Sequence, residues 1–454
     1  MQRKATWIQP QKRIKAALLA ALLITLPGAL LLSGCAAKKE LQGSLTICVP
    51  DHLESVYRPM VRVFGGKHPQ VEIKLIFVQD TLWAEPQTDE DVQKIQEEIA
   101  AGGGPDLFIG NTFSDGIFED IAKSSTDGAF LDLAPYLGKE LYDSGLYYDQ
   151  ILAGGKFAGK QYVVPLSFQL VGLLTAEELI GSETYQELNA SRDAQTMLEK
   201  TLGLFPSGDY SYLIGMMRQQ NLFSLKPFIN YESKTVETPQ RFDGLFALAA
   251  DISTKFSAEG LAQINDPETI PNPENPVLGG VIGDVMGLEK RAQKMWEKGM
   301  EPRILPIVGE DGTTNAIIAG YAAVNRNCKS PQAAAAFIRE VLLTQEVQGA
   351  CKGEAWGAST IPYAQFNATL PVRKDALRSL LSVKISGAGA NAAEEYPKLL
   401  ADQVDAAIEK TDNALFYMYE ARQTLKNLNP SFMERGSYQE NLDRLIQTMQ
   451  THLG

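Results

Sequence analysis

The period of the apolar positions changes along the chain in a regular order. Ser44-Leu45-Thr46-Ile47-Cys48-Val49 reads as a strand. Glu54 to Phe64 carries Val56, Met60, Val63 and Phe64 at helical spacing on one face. Lys67-His68-Pro69-Gln70 breaks that helix, and Val71 to Val78 forms a second strand. A loop from Gln79 to Thr88 carries Trp83, and Asp89 to Ala100 is a second helix. Gly102-Gly103-Gly104-Pro105-Asp106 then turns into a third strand, Leu107 to Gly110. Strand, helix, strand, helix, strand predicts a parallel sheet covered by helices on its faces. Such sheets hold ligands outside the carboxyl ends of their strands, here Pro50-Asp51-His52 and Asn111-Thr112.

The pattern changes at Gly159-Lys160-Gln161-Tyr162-Val163-Val164-Pro165-Leu166-Ser167-Phe168. A β-branched and aromatic run ends in proline, which has no N–H to give a sheet interior. The chain is expected to leave its first sheet there and enter a second body, opened by the strand Val171 to Thr175. Val277 to Met286 reads as a glycine-interrupted strand, Leu288 to Lys298 as a helix, and Arg303 to Gly309 as a further extended segment. Gly320 to Val324 is a strand, and Ser330-Pro331 opens a helix, with proline in a first-turn position. Thr369 to Lys374 is a second extended proline step. The amphipathic segments Tyr396 to Leu428 and Tyr438 to His452 are expected to pack on the second body.

The N-terminus changes the compartment. Arg3, Lys4, Lys12, Arg13 and Lys15 precede the apolar run Ala16 to Leu32, and Ser33-Gly34-Cys35 follows. That is the layout of a signal peptide, too short and wrongly flanked for a membrane span. Leu32-Ser33-Gly34-Cys35 resembles the bacterial lipobox, which implies diacylation of Cys35 and a tether at the outer face of the cytoplasmic membrane. Acyl chains add about 0.8 kcal/mol per buried methylene, so two can anchor a soluble body. Ala36 to Glu40 then reads as a polar spacer. The remaining thiols, Cys48, Cys328 and Cys351, are read as free, since a straight helix between the last two would hold them about 30 Å apart; a Cys328–Cys351 bridge is the alternative if that helix breaks.

The 454 residues suffice for two domains. A formal charge of −13 argues against nucleic acid, which rewards clustered Lys and Arg.

Several stretches together resemble extracellular solute-binding lipoproteins, the sugar-type receptors of ABC importers. They are Gly104-Pro105-Asp106 before a strand, the turn Phe130-Leu131-Asp132-Leu133-Ala134-Pro135-Tyr136-Leu137, the crossover ending in Pro165, and Gly320 to Val324 followed by Ser330-Pro331-Gln332-Ala333-Ala334-Ala335-Ala336-Phe337-Ile338. The resemblance implies an α/β, two-lobed, periplasmic-binding-protein-like fold with a hinge and an interlobe cleft. It divides the chain into a signal peptide (1–34), a lipidated tether (35–43), lobe one (44–166 and 303–361) and lobe two (167–302 and 362–454). It implies a monomeric receptor, with no cofactor, that delivers a small solute, a carbohydrate first of all, to the transmembrane subunits of an ABC permease. A sensor of the same fold reporting to a signalling partner is the alternative.

Catalytic patterns are missing from the sequence. Its three histidines, His52, His68 and His452, are far apart and lack cysteines at zinc spacing. No Gly-x-Ser-x-Gly elbow or Walker loop occurs. The expectation is a protein that holds a solute and is not an enzyme. Sugars are bound by aromatic faces together with matched polar groups. The candidate aromatics are Trp83, Tyr210, Tyr321 and Trp356, and the candidate polar groups are Asp51, His52, Asn111, Thr112 and Gln169. Each also has a plainer reading as packing or loop capping. Phe416, Tyr417 and Tyr419 can face either the cleft or the core of the second lobe, and the core is the expectation.

Overall fold

The computed structural model describes residues 40–78, 90–112, 116–206, 228–237, 269–283, 285–309, 311–349, 369–381, 395–428 and 438–454. The first sheet is built from β1 (Gly43–Pro50), β2 (Val71–Val78) and β3 (Leu107–Asn111), joined by helices α1 (Glu54–Lys67) and α2 (Glu90–Ala100). β1 pairs in parallel with both β2 and β3. Leu45, Ile47 and Val49 point to one face and Cys48 to the other, and all four are buried. Both faces of the sheet are therefore covered, the state that parallel strands require. Each fully buried leucine or isoleucine contributes about 1.5–3 kcal/mol.

After β3 the chain forms α3 (Ile121–Thr126) and α4 (Asp149–Ala153). The small hairpin β4 (Lys156–Phe157) and β5 (Lys160–Gln161) follows, and then β6 (Val163–Pro165). Pro165 is the last residue of β6. One residue later β7 (Ser167–Thr175) begins in a different sheet. β7 is the spine of that second sheet. β10 (Leu278–Ile282) pairs with its residues 170–174, and β11 (Arg303–Pro306) with its residues 172–175 on the opposite edge. A further hairpin, β8 (Ile229–Asn230) and β9 (Thr235–Val236), lies between β7 and β10 in sequence. Helix α5 (Val285–Glu297) follows β10.

The place of β11 corrects the sequence reading, which returned the chain to lobe one at Arg303. β11 is antiparallel to β7, and β12 (Asn315–Ile318) continues along β7 at residues 168–170. The return comes at Ala319, because β13 (Gly320–Val324) pairs with β3 and β6 of the first sheet. Pro306 ends a strand within the second sheet; it does not mark a change of lobe. The chain then forms α6 (Pro331–Phe337), and β14 (Leu370–Pro371) pairs with Phe168 and Ser167 at the start of β7.

Three connectors thus lie side by side. Leu166 donates its N–H to Gly320 and accepts the N–H of Val372, at 2.8 and 3.3 Å. Ala319 donates to the carbonyl of Ser167 at 2.9 Å. Among the described residues the apolar core runs on through this waist, at Val164, Leu166 and Phe168.

Helix α7 (Lys374–Leu381) and helix α8 (Glu395–Glu409) follow, then β15 (Asn413–Leu415), α9 (Met418–Leu428) and α10 (Tyr438–Leu453). The predicted helix from Tyr396 to Leu428 is therefore two helices split by an edge strand, β15, which runs parallel to β12. Of the C-terminal segments, α8 packs into the main core through Leu400, Val404 and Ile408. Side chains of α9 and α10 form a separate small cluster with the β8–β9 hairpin: Phe228, Ile229, Tyr419, Leu442, Leu445, Met449 and Leu453. Cys48 and Cys328 are free thiols, and burial pushes each up to about 12, away from the reactive thiolate form; Cys351 lies outside the described residues.

Candidate functional site

The strand ends singled out in the sequence lie on one edge of the first sheet. Asp51 and His52 are exposed in the turn that follows β1, where the Asp51 carboxylate accepts the His52 N–H at 2.7 Å. Asn111 and Thr112 end β3 and are buried. Thr112 is committed to the waist. Its N–H donates to Ala319 and its hydroxyl to the carbonyl of Ile318, at 2.8 and 2.7 Å. Its own carbonyl accepts the guanidinium of Arg422 on α9 at 3.0 Å. Gln169 is half-buried on β7 opposite Ile317. Tyr321 is buried on β13, with its ring laid over Gly110, where a Cβ would come within 2.6 Å of the hydroxyl. Trp83, Tyr210, Trp356 and Cys35 lie outside the described residues.

The cavity directly at these strand ends measures about 30 Å³ and is lined by Pro50, Phe108, Asn111, Phe118 and Tyr321, among others. That is room for a water, not for a sugar. A larger cavity of about 290 Å³ lies nearby, and its walls come from both lobes. The first lobe supplies Ala122, Gln150, Gly154, Lys156 and Phe157. The other wall is Ile229, Tyr231, the run Asp412 to Tyr417, and Glu420. Phe416 joins the two cavities, since its ring stands 6.1 Å from Phe157 on one side and 6.1 Å from Tyr321 on the other.

Sequence reasoning missed most of this wall. Of the aromatics assigned to the second core, Tyr417 and Tyr419 are indeed buried, Tyr419 in the separate small cluster. Phe416 is only half-buried and faces the cavity. Phe157 and Tyr231 gave no signal beyond being lone aromatics beside turns.

Most polar groups of the wall have partners. Asp412 accepts the Thr314 N–H at 2.8 Å and pairs with Arg192 at 3.0 Å. Gln150 donates to the carbonyl of Ile408 at 2.9 Å. The Lys156 ammonium lies 5.0 Å over the Tyr142 ring. Glu420 is 2% exposed and accepts the N–H groups of Phe228 and Ile229 at 2.9 and 3.2 Å. Burial pushes its carboxyl up to about 8, against the two N–H donors that favour the charged form. The wall is thus amphipathic, with aromatic faces and a few fixed polar groups, which suits a small hydroxylated solute. Among the described residues, no group of three or more His, Cys, Asp or Glu side chains could hold a metal ion, and no helix is long and apolar enough to cross a membrane.

No protein-family model matches the sequence, and no curated protein matches it. Solved structures do match. The sugar-binding protein MalE from Xanthomonas citri is 14% identical with a TM-score of 0.54, over 90% of this chain and 97% of that one. A de novo designed esterase is 16% identical with a TM-score of 0.53, over 91% of this chain and 99% of that one. An extracellular solute-binding protein of family 1 from Alicyclobacillus acidocaldarius is 16% identical with a TM-score of 0.48, over 91% and 99%. Likeness at these identities is one of fold and transfers no chemistry. Two sheets, a waist of adjacent connectors and a cavity walled from both sides agree with it: the chain has the two-lobed α/β fold of the MalE-like solute-binding proteins.

Proposed function

We propose that this protein is a lipid-anchored extracellular receptor. It holds a small solute, a carbohydrate first of all, between its lobes and hands it to the transmembrane subunits of an ABC transporter. The observation that carries this reading is the cavity of about 290 Å³ walled from both lobes beside the waist. A solute that touches both walls binds the closed form better than the open one, and that difference in affinity is what shifts the population. The lipobox-like Leu32-Ser33-Gly34-Cys35 supports the anchor. The likeness to a sugar-binding protein supports the solute class.

Contacts to the solute are assigned first to Phe157, Phe416 and Tyr231 of the larger cavity; Asp51, His52, Asn111, Gln169 and Tyr321 lie outside its lining and, with Trp83, Tyr210 and Trp356, are proposed as a second contact group. Thr112 has a hinge role instead, because its amide and hydroxyl both bond the return connector. The wall's hydrogen bonds suit holding, not bond cleavage.

A thermal-shift panel of mono- and oligosaccharides, amino acids, peptides and polyamines on residues 36–454 tests this. A ligand at 100 times its Kd adds about 2.7 kcal/mol, a shift of several degrees. At least one sugar is expected to produce it. A shift from another class alone would move the solute assignment, and no shift at all would remove the receptor reading.

A further inference from the structure

One side of the larger cavity is closed by contacts that converge on a single carboxylate. Asp120 stands just before α3 in the first lobe and is 5% exposed. One oxygen accepts the Lys123 N–H at 3.0 Å, the capping bond of its own helix. The other accepts the hydroxyl of Tyr231 at 2.7 Å and lies 2.9 Å from Nε2 of His452. A carboxylate only accepts, so that ring nitrogen carries the proton between them. Tyr231 follows β8 and His452 lies in the last turn of α10, where its ring stacks on Tyr419 at 3.9 Å. Among the described residues no lysine or arginine pairs with Asp120.

A second contact lies beside the first. The N–H of Ala158, at the tip of the β4–β5 hairpin, donates to the Glu232 carboxylate at 2.7 Å. Ala158 and Gly159 have φ of 48° and 75°, the two positive values that a two-residue hairpin turn requires. Phe157 and Tyr231, next in sequence to these contacts, are cavity wall.

We propose that Asp120 is a catch: its carboxylate holds the β8–β9 hairpin and the end of α10 shut over the cavity, and hydration of that carboxylate releases them. The parts it holds pack on one another and on Tyr419 of α9 in a small core apart from the main one, and α9 is anchored by Ala421 in the main core, so the hairpin and the end of α10 would swing from α9. In the shut state Asp120 accepts charge-assisted hydrogen bonds. In the released state water replaces them, so the carboxylate is never left unpaired. What the catch guards rests on the receptor reading, but the catch itself does not.

Hydrogen exchange on residues 36–454, without solute, tests it. Asp120→Asn keeps an oxygen to cap Lys123 while losing the charge, and Tyr231→Phe loses only the hydroxyl. Both are expected to speed exchange about tenfold in peptides covering 156–161 and 228–236, equivalent to about 1.4 kcal/mol. Peptides covering 44–50 and 107–112 should stay unchanged. Unaltered exchange at the hairpins, or an equal rise throughout the first sheet, would overturn the catch. If the hairpins are freed in both variants but no panel solute raises Tm, the catch stands and the receptor reading falls.

Discussion

The backbone N–H of Leu166 donates to the carbonyl of Gly320 at 2.8 Å, at the point where both strands change sheets. The outgoing and returning chains are therefore coupled at the waist between the two sheets. Gly320 returns its own N–H to the hydroxyl oxygen of Ser167 at 2.9 Å, and that serine is fully buried.

Ser167→Ala removes the acceptor and leaves a buried N–H unpaired, at a cost of about 1–3 kcal/mol. The urea midpoint of unfolding should fall accordingly. An unchanged midpoint would mean that water reaches the waist and replaces the lost bond.

Gly154→Ala tests the close approach of the lobes. A Cβ there would stand 2.4 Å from the carbonyl oxygen of Ala414 in β15, a backbone atom that cannot swing aside. The expected loss is about 1–3 kcal/mol or more. Gly65→Ala is the contrast. It lies in α1 with nothing within 4 Å of the new Cβ and should gain about 0.5–1 kcal/mol from helix propensity. Denaturation of the pair measures the difference, and equal midpoints would contradict the packing.

The same residues show how much of the molecule the sequence discloses. The alternation from β1 to β3 is legible because burial on both faces writes continuous apolar runs. Pro165 is legible because proline ends a ladder. The return at Ala319 is not. Ile318, Ala319 and Gly320 continue one extended run, and the period stays at two while the partner strand changes. Pro306 looks like a crossover but only closes β11 against β7. The larger cavity is not legible either. Phe157, Tyr231, Phe416 and Glu420 come from distant turns and one helix start, and no local period marks them. Phe416 reads as core beside Tyr417, although only the structure separates a wall residue from the packed one next to it.

Glu420 gives a pH prediction with a definite sign. Burial carries its carboxyl from an ordinary value near 4.5 up to about 8. Between those values the folded chain binds more protons than the unfolded one, so stability falls as pH rises through that window. Glu420→Gln removes the titration. Wild type should lose stability relative to the variant between pH 5 and 8, as read from urea midpoints across that range. Parallel curves would contradict it.

Cys35→Ser should abolish incorporation of labelled palmitate and release the protein from the membrane fraction of the bacterium that expresses it. Retention of label after the substitution would place the lipid elsewhere.

Small-angle X-ray scattering of residues 36–454 against the solute panel tests the central claim most directly. A saturable fall in the radius of gyration with one solute is expected, at the concentrations that raise Tm. A radius that stays constant across every solute would contradict a receptor whose lobes shut on their guest.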